Sequence, residues 1–473
     1  MIEALRSALG PANVRTSAAE LGVYRRDASN MRGSAAVVCL PETTEQVQAC
    51  VAVANRHGVP FVARGSGTGL AGGAVPPDGA IVIVTTRMDR VLSVDPVNRL
   101  AWVQPGVLNL DLSRQLTQLG LHFAPDPSSQ QTCSIGGNVA NNSGGPHCLA
   151  DGVTASHVLA VRAVLPDATV TTLGGEDPEP PGYDLRGVFI GSEGMFGVAT
   201  EVCVRLTPNP PEVRTMLLDF ATVEDGAATV GAIIAAGIVP AAMEMMDTLC
   251  LEAVEAYIHA GLPTDAAAAL LVEVAGLTHG VAADTDRIVE IARAHHVGNV
   301  RVAADPAERA LLWKGRKSAF GAVARIQPDY YLHDTVVPRS ALPAVLREIY
   351  TIVARHELQV LNVFHAGDGN LHPILVFDGR VPGVWDRVHV AGEEIVRASV
   401  AAGGVLTGEH GIGLEKRDLM PLMFSAVDLA AQEALRQAFD PRRLANPGKV
   451  LPSPATCAEV ARVPAAAAEQ TWI

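Results

Sequence analysis

The sequence predicts an α+β protein of more than one domain, and three observations carry that expectation. The chain has 473 residues, too many for one ordinary core. Short β-branched runs alternate with Ala-rich or amphipathic stretches of helical period along most of its length. One proline cluster, Pro208-Asn-Pro-Pro211, interrupts that rhythm, and consecutive prolines stop both helices and central strands. Hydrophobic residues make up 48% of the chain and aromatics only 4%, so the core is built largely of Ala, Val and Leu with abundant Gly.

The elements follow in order. An N-terminal segment, residues 1–34, holds a helix over 2–9 that Gly10-Pro11 stops. Residues 36–40 read as a strand, 43–57 as an amphipathic helix capped by Thr44, and 60–63 as a second strand. Strands at 81–85, 100–103 and 198–206 continue a first domain spanning 35–210. A second domain, 211–430, alternates strands at 214–220 and 269–274 with helices at 226–236 and 285–295. Residues 431–473 form a last helix and a polar strap, with a loosely attached Ala- and Pro-rich tail from Pro452.

Bulk properties exclude several functions. Lys and Arg number 36 against 50 Asp and Glu, a formal charge of -14, and without a long basic run the chain is not built to neutralise nucleic-acid phosphates. Seven scattered cysteines with no C-x-x-C pair point to a reduced cytoplasmic chain without structural zinc or an iron–sulfur cluster of its own. No signal peptide and no run of about 18 apolar residues is found.

Three glycine-rich loops crowd the first domain. Arg64-Gly-Ser-Gly-Thr-Gly-Leu-Ala-Gly-Gly73 follows a strand directly, so Gly65, Ser66, Gly67, Thr68, Gly69 and Gly73 can bring backbone N–H groups to a pyrophosphate. A flexible surface turn is the ordinary alternative, and a Rossmann site fits less well because Asp89 alone could serve as its acidic ribose contact. The second cluster runs from Pro125, Asp126, Ser128 and Ser129 into Ser134, Gly136, Gly137, Asn138, Asn142, Gly144 and Gly145; the third, Ile190-Gly-Ser-Glu-Gly-Met-Phe-Gly197, holds Glu193 and Gly194 and leads to Val198. Three such loops in one domain suit a long ligand with a pyrophosphate and a ring system better than a single phosphate.

These loops resemble the FAD-binding fold of the vanillyl-alcohol-oxidase (PCMH) type, and nearly the whole chain resembles the FAD-linked subunits of glycolate oxidase, within the wider D-lactate and D-2-hydroxyglutarate dehydrogenase group. The resemblance implies a two-subdomain FAD-binding domain, an α+β cap domain for substrate and metal, and a strap that returns to the flavin domain. It also implies that the first loop and residues 134–145 embrace the pyrophosphate, while residues 125–129 and 190–198 line the flavin. Thr68 and its glycine neighbours offer no histidine for a covalent link, so non-covalent FAD is expected. Asn446, in the strap, would reach the isoalloxazine; a loop shaped only by Pro and Gly is the alternative.

The chemistry is expected in the second domain. Asn362-Val-Phe-His-Ala-Gly-Asp-Gly-Asn-Leu-His-Pro373 separates His365 and His372 by turn-forming residues, so a hairpin would set both imidazoles side by side. A buried, hydrogen-bonded histidine pair is the alternative, but Thr407-Gly-Glu-His-Gly-Ile-Gly413 adds a carboxylate and a third imidazole. Two imidazoles and one carboxylate make an open ligand set. The resemblance assigns His365, His372 and Glu409 to one divalent ion, zinc or manganese, and His410 to the general base, with a fourth ligand as the other role for His410.

Each residue type then has a task. A 2-hydroxy acid must lose its O–H proton and its C2 hydride, and a cation on the hydroxyl oxygen lowers that oxygen's pKa. His410, with a reference pKa of about 6.5, can take the proton while flavin N5 takes the hydride. Arg316, in a segment resembling the family's W-x-x-R, would clamp the substrate carboxylate, with Lys314 and Lys317 exposed. Ile374 and Leu332 stand where hydroxyglutarate-type members resemble this chain but carry polar residues, which favours glycolate or D-lactate. The competing classes are a hydroxyglutarate dehydrogenase, a flavin electron-transfer subunit without its own chemistry, and a metal hydrolase without flavin. The resemblance further implies a second flavin subunit and an iron–sulfur subunit as partners, holding a cytoplasmic protein at the inner membrane face with at most peripheral association.

Overall fold

The computed structural model describes residues 1–177 and 181–452; the tail expected to be loosely attached lies outside them beyond residue 452. The first domain carries two sheets. In the smaller, Val14–Arg15, Ala35–Cys39, Ala80–Val84 and Phe61–Arg64 lie side by side in that order, the last three mutually parallel. Thr44–His57 is the helix between two of them, and its Val47, Cys50, Val51 and Ala54 pack against Phe61, Ile81 and Ile83. Its cap is Thr43 rather than Thr44: the Thr43 hydroxyl accepts the Gln46 N–H at 3.3 Å, and Thr44 is buried as the first helical residue. Ala80–Val84 is buried along its whole length, as a parallel strand covered on both faces must be.

The second sheet is antiparallel, in the order Val91–Asp95, Leu100–Val103, Val198–Arg205, Val158–Val164, Val170–Gly174. One face packs on Ile135 and Val139 of the short helix Ile135–Asn141, together with Phe123 and Phe189. Val164 and Val198 also join the core of the smaller sheet. The two sheets therefore hold the glycine loops, which leave their strand and helix ends, in one fixed relation.

The second domain is an antiparallel sheet with the order Val297–Val302, Glu212–Phe220, Ala268–Gly276, Ala242–Asp247, Gln359–His365, Asn370–Leu371, Thr335–Val336; Pro373–Phe377 pairs Gln359–His365 and Asp329–Leu332. Both faces are covered. Along Ala268–Gly276, Ala268, Leu270, Val272 and Val274 enter one apolar cluster while Ala269 and Leu271 enter the other, the period of two expected of a strand. Helices Val223–Ala235, Thr278–Ala294 and Leu342–Arg355 cover the first face, and Thr248–Ile258, Pro306–Lys317 and Ala319–Val323 the second. Thr278–Ala294 begins seven residues before the expected start at 285, because Leu277 gives it no side-chain cap to announce the end.

After the helix Ala426–Phe439 the chain runs back to the first domain. The Phe61 N–H donates to Leu444 O at 2.8 Å and the Asn446 N–H to Phe61 O at 2.7 Å. Buried Arg436 fixes this turn by donating to Met195 O and Ala445 O and pairing with Asp440 at 3.0 Å.

Candidate active site

A cavity of about 490 Å³ opens between the two domains, within the usual size of ligand sites. Its flavin-domain wall is made of the three glycine loops. From the first come Arg64, Gly65, Ser66, Gly67, Thr68, Gly69 and Gly73; from the second Ser128, Ser129, Ser134, Gly136, Gly137 and Asn138; from the third Glu193, Gly194 and Val198. Local physics explains the glycines. A Cβ on Gly65 would strike Ser134 Oγ, one on Gly136 would stand 2.5 Å from Pro105 Cβ, and Gly67 adopts φ +77. Ser134 caps Ile135–Asn141, its Oγ accepting from Gly137 N at 3.3 Å. The wall is thus backbone, hydroxyl and amide groups over the length of the cavity, a donor set that fits an extended dinucleotide.

The remaining expected cofactor residues stand behind this wall and shape it. Pro125 O accepts from Asn109 Nδ2 at 2.8 Å, and Asp126 pairs with His147 at 2.9 Å and Lys317 at 3.6 Å. Asn142 ends its helix at φ +52, its Oδ1 accepting from Ala155 N at 2.8 Å. A Cβ on Gly144 would lie 3.1 Å from Glu409 Oε2, and one on Gly145 2.5 Å from Asp126 O. Asn446 donates from Nδ2 to Gly73 O at 2.8 Å and to Glu193 O at 2.6 Å, tying the strap to two of the loops.

The cap-domain wall carries His372, Glu409 and His410. His365 ends the strand Gln359–His365 and pairs with Asn370 across a tight turn, which brings the His365 and His372 ring centroids to 5.0 Å. Glu409 Oε1 lies 3.4 Å from His365 Nε2, 3.1 Å from His372 Nε2 and 3.3 Å from His410 Nε2. The His372 and His410 rings stack 5.0 Å apart, 10° from parallel. One carboxylate oxygen is therefore ringed by three imidazole nitrogens.

Whether a cation fits can be judged from the far sides of those rings. His365 Nδ1 meets Glu244 Oε1 at 2.7 Å, and His372 Nδ1 meets the His333 carbonyl at 3.4 Å. With Nδ1 engaged as donor, each ring presents an Nε2 lone pair to the centre, the arrangement of metal-binding histidines. His372 Nε2 and Glu409 Oε2 are buried without a hydrogen-bond partner, and His365, His372 and Glu409 offer ligand atoms all within 4.8 Å of one another. A second set, Asp334, His372 and His410, meets the same distance, but both Asp334 oxygens are already taken by backbone N–H groups of residues 408–410. The first set fits a cation better.

Electrostatics follow the same geometry. Burial opposes charge at all four groups, yet for Glu409 the imidazoles outweigh it and hold the carboxyl well below its usual range. At His365 the Glu244 and Glu409 carboxylates outweigh burial and raise the pKa. At His410 Asp334 and Glu409 do the same. For His372 burial wins, and its pKa falls.

Some positions differ from the sequence reading. Arg316 is 1% exposed and is not on the cavity wall; its Nε and Nη2 meet Glu244 Oε2 at 2.6 and 2.5 Å. Lys317, expected at the surface, lines the cavity beside Phe320 and Tyr330. Leu332 and Ile374 are register partners inside an apolar core, so neither stands on the pocket wall. Glu244, Asp334 and the side-chain role of Glu193 were not anticipated; acidic residues in otherwise apolar strand or glycine contexts were the only signal.

Comparisons with known proteins agree with this layout. A family described as FAD binding domain matches residues 35–174, and one described as FAD linked oxidases, C-terminal domain, matches residues 209–450. The chain is 47% identical over 423 residues to the glycolate oxidase subunit GlcD of Escherichia coli strain K12, covering 89% of this chain and 85% of that protein. Its identity to the Bacillus subtilis glycolate oxidase subunit GlcD is 38%, covering 95% and 96%. A probable mitochondrial D-lactate dehydrogenase of Danio rerio is 30% identical, covering 95% and 91%. In fold, p-cresol methylhydroxylase superposes with a TM-score of 0.81 at 17% identity, covering 95% of this chain and 96% of that one.

Proposed function

This chain belongs to the family of FAD-linked oxidases, and from that premise we propose that it oxidises a small D-2-hydroxy acid, glycolate or D-lactate, with the help of one divalent cation. It is an FAD-linked hydroxy acid oxidoreductase. The observation that carries the finer reading is that Glu409, which with His372 and His410 lies on the wall of the cavity that the glycine loops enclose, also meets His365 behind that wall.

FAD, when bound, supplies the acceptor for two electrons. A divalent cation held by His365, His372 and Glu409 supplies Lewis acidity, zinc and manganese both suiting this ligand set. His410 stands 3.3 Å from Glu409 and so beside the hydroxyl of a substrate placed there, where its Nε2 takes the proton. Lys317 is the cation on the cavity wall and meets the substrate carboxylate, while Arg316 balances the charge of Glu244 and through it steadies His365. Among the residues lining the cavity the other strong cation, Arg64, belongs to the first glycine loop. Lys317 also leans on Asp126 at 3.6 Å, and among the lining residues there is no further Lys or Arg for a second carboxylate, which supports glycolate or D-lactate over a dicarboxylate such as 2-hydroxyglutarate.

Electrons leave to an external acceptor, with companion flavin and iron–sulfur subunits as the acceptor chain. Among the described residues no helix is long and apolar enough to cross a membrane. Anaerobic mixing of the metal-replete flavoprotein with a panel of D- and L-2-hydroxy acids tests the proposal: flavin absorbance bleaches with glycolate or D-lactate. Absence of bleaching with every member of the panel, companion subunits present, would sink it.

A further inference from the structure

We propose that Asp334 and Glu193 are positioning residues that grip the loop 407–413 from opposite sides, one from each domain, and so set where Glu409 and His410 stand; this rests on the catalytic reading of those two residues. The loop, Thr407-Gly-Glu-His-Gly-Ile-Gly413, has no regular secondary structure. Gly411 and Gly413 adopt φ +83 and +52. A chain so rich in glycine has many conformations to lose, and something outside it must choose one.

A full account of its backbone donors shows what chooses. The Gly408 N–H donates to Asp334 Oδ1 at 3.0 Å, and the Glu409 and His410 N–H groups to Asp334 Oδ2 at 3.2 and 3.0 Å. The Gly411 N–H donates to Thr407 Oγ1 at 3.0 Å, and the Thr407 hydroxyl itself donates to Asp334 Oδ2. The Ile412 and Gly413 N–H groups donate to Glu193 Oε1 at 2.7 and 3.0 Å. Every amide from 408 to 413 is thereby spoken for, and the acceptors trace back to two buried carboxylates, 1% and 5% exposed.

Carboxylates suit the task because one carboxyl oxygen can accept several hydrogen bonds at once. Each has a lysine near it. Lys416 Nζ lies 3.7 Å from Asp334 Oδ2 and donates to Asp334 O at 2.6 Å; at Glu193 burial outweighs the Gly413 and Ile412 N–H groups and the Lys449 charge and pushes the carboxyl up to about 7. The two anchors come from different places. Asp334 belongs to the cap domain, in the segment whose His333 carbonyl also meets His372 Nδ1, so it fixes the loop relative to the histidine pair. Glu193 lines the cavity from the third glycine loop, so it fixes the loop relative to the flavin wall. Asn141 reinforces the second contact by donating to His410 O at 2.9 Å.

The test uses the full-length FAD-replete protein and its Asp334→Asn, Glu193→Gln and Thr407→Val variants. Thr407→Val keeps the side-chain volume and removes one link, so it serves where Asp334→Asn does not fold. Amide hydrogen exchange across residues 407–413 is read first: exchange rises tenfold or more for 408–411 in Asp334→Asn and Thr407→Val, and for 412–413 in Glu193→Gln. Titration with Mn²⁺ or Zn²⁺ alone then shows affinity weakened about 10–100-fold in Asp334→Asn, with flavin content unchanged. Loop exchange within twofold of wild type in all three variants overturns the proposal, as does loosened exchange with unaltered metal affinity. A wild-type protein that binds neither ion, or that no hydroxy acid bleaches, overturns instead the catalytic reading, while the exchange result still decides whether the two carboxylates hold the loop.

Discussion

Replacing Glu244 with Gln separates two effects that the geometry joins. The Glu244 side chain is fully buried and receives three donors: His365 Nδ1 at 2.7 Å, Arg316 Nε at 2.6 Å and Arg316 Nη2 at 2.5 Å. Removing its charge leaves the 1%-exposed Arg316 guanidinium unpaired, and breaking a buried pair from one side costs about 3–5 kcal/mol. His365 meanwhile loses the acceptor that fixes its tautomer, which weakens metal affinity about 10–100-fold, or about 1.4–2.7 kcal/mol. The double variant Glu244→Gln/Arg316→Met removes the orphaned charge. It regains most of the stability and none of the affinity, because His365 is still unsupported. Urea unfolding reports the first quantity; competition for Zn²⁺ against a chromophoric chelator reports the second. Wild-type affinity in Glu244→Gln, or recovery of affinity together with stability in the double variant, would refute the reasoning.

Four further outcomes are expected. His410→Ala lowers kcat about 10²–10⁴-fold while flavin and metal content, measured by absorbance and elemental analysis, stay at wild-type levels. Lys317→Ala raises KM for the hydroxy acid more than Arg316→Lys does; the reverse order in steady-state kinetics returns the carboxylate contact to Arg316. Removing the metal with a chelator lowers Tm, and an ion at 100 times its Kd restores about 2.7 kcal/mol, read by thermal unfolding with and without added Mn²⁺. Burial raises the Asp247 pKa to about 6 from 3.8, against its hydrogen bonds from Cys250 N, Asn362 and Tyr350. The folded state therefore holds this proton more tightly than the unfolded one, and its contribution to stability, complete below pH 3.8, is lost as pH rises to about 6, at up to about 1.4 kcal/mol per pH unit. The stability difference between wild type and Asp247→Asn changes across that window in urea titrations and is flat above it.

How much of this was legible in the chain depended on where the partners lay. The turn residues between His365 and His372 announced a hairpin, and a hairpin leaves little freedom in where two imidazoles go. The glycine loops were legible because only glycine fits where Ser134, Pro105 or Asp126 presses close. Glu244 was not. Its strand, Ala242–Asp247, reads Ala-Met-Glu-Met-Met-Asp without a β-branched residue, and its partners lie 72 and 121 positions away. Glu193 and the loop it holds are 219 residues apart at Ile412, and no local pattern encodes such a contact. Arg316 and Lys317 face different surroundings for a helical reason: successive residues point about 100° apart, so a motif that names the helix does not say which of its residues looks into the cavity.

The seam between the domains shows why the chemistry needs both. Buried Glu273 of the cap sheet accepts from Thr215 Oγ1, Trp313 Nε1 and, at 2.8 and 2.7 Å, the Arg309 guanidinium. His147 of the flavin domain reaches the same carboxylate at 3.4 Å and, through its other nitrogen, Asp126 at 2.9 Å. Burial works against a charge on His147, yet Asp126 and Glu273 outweigh it and raise its pKa to about 10. A half-buried imidazolium shared by one carboxylate from each domain loses one of its two partners if the domains separate. Asp126 precedes Ser128 and Ser129 on the flavin wall, while Arg309 and Trp313 share their helix with Arg316 and Lys317. The position of the substrate-side helix is thus referred to the flavin-side loop by an imidazole that bridges Asp126 and Glu273 only in the docked state, just as the loop carrying Glu409 and His410 is referred to both walls by Asp334 and Glu193.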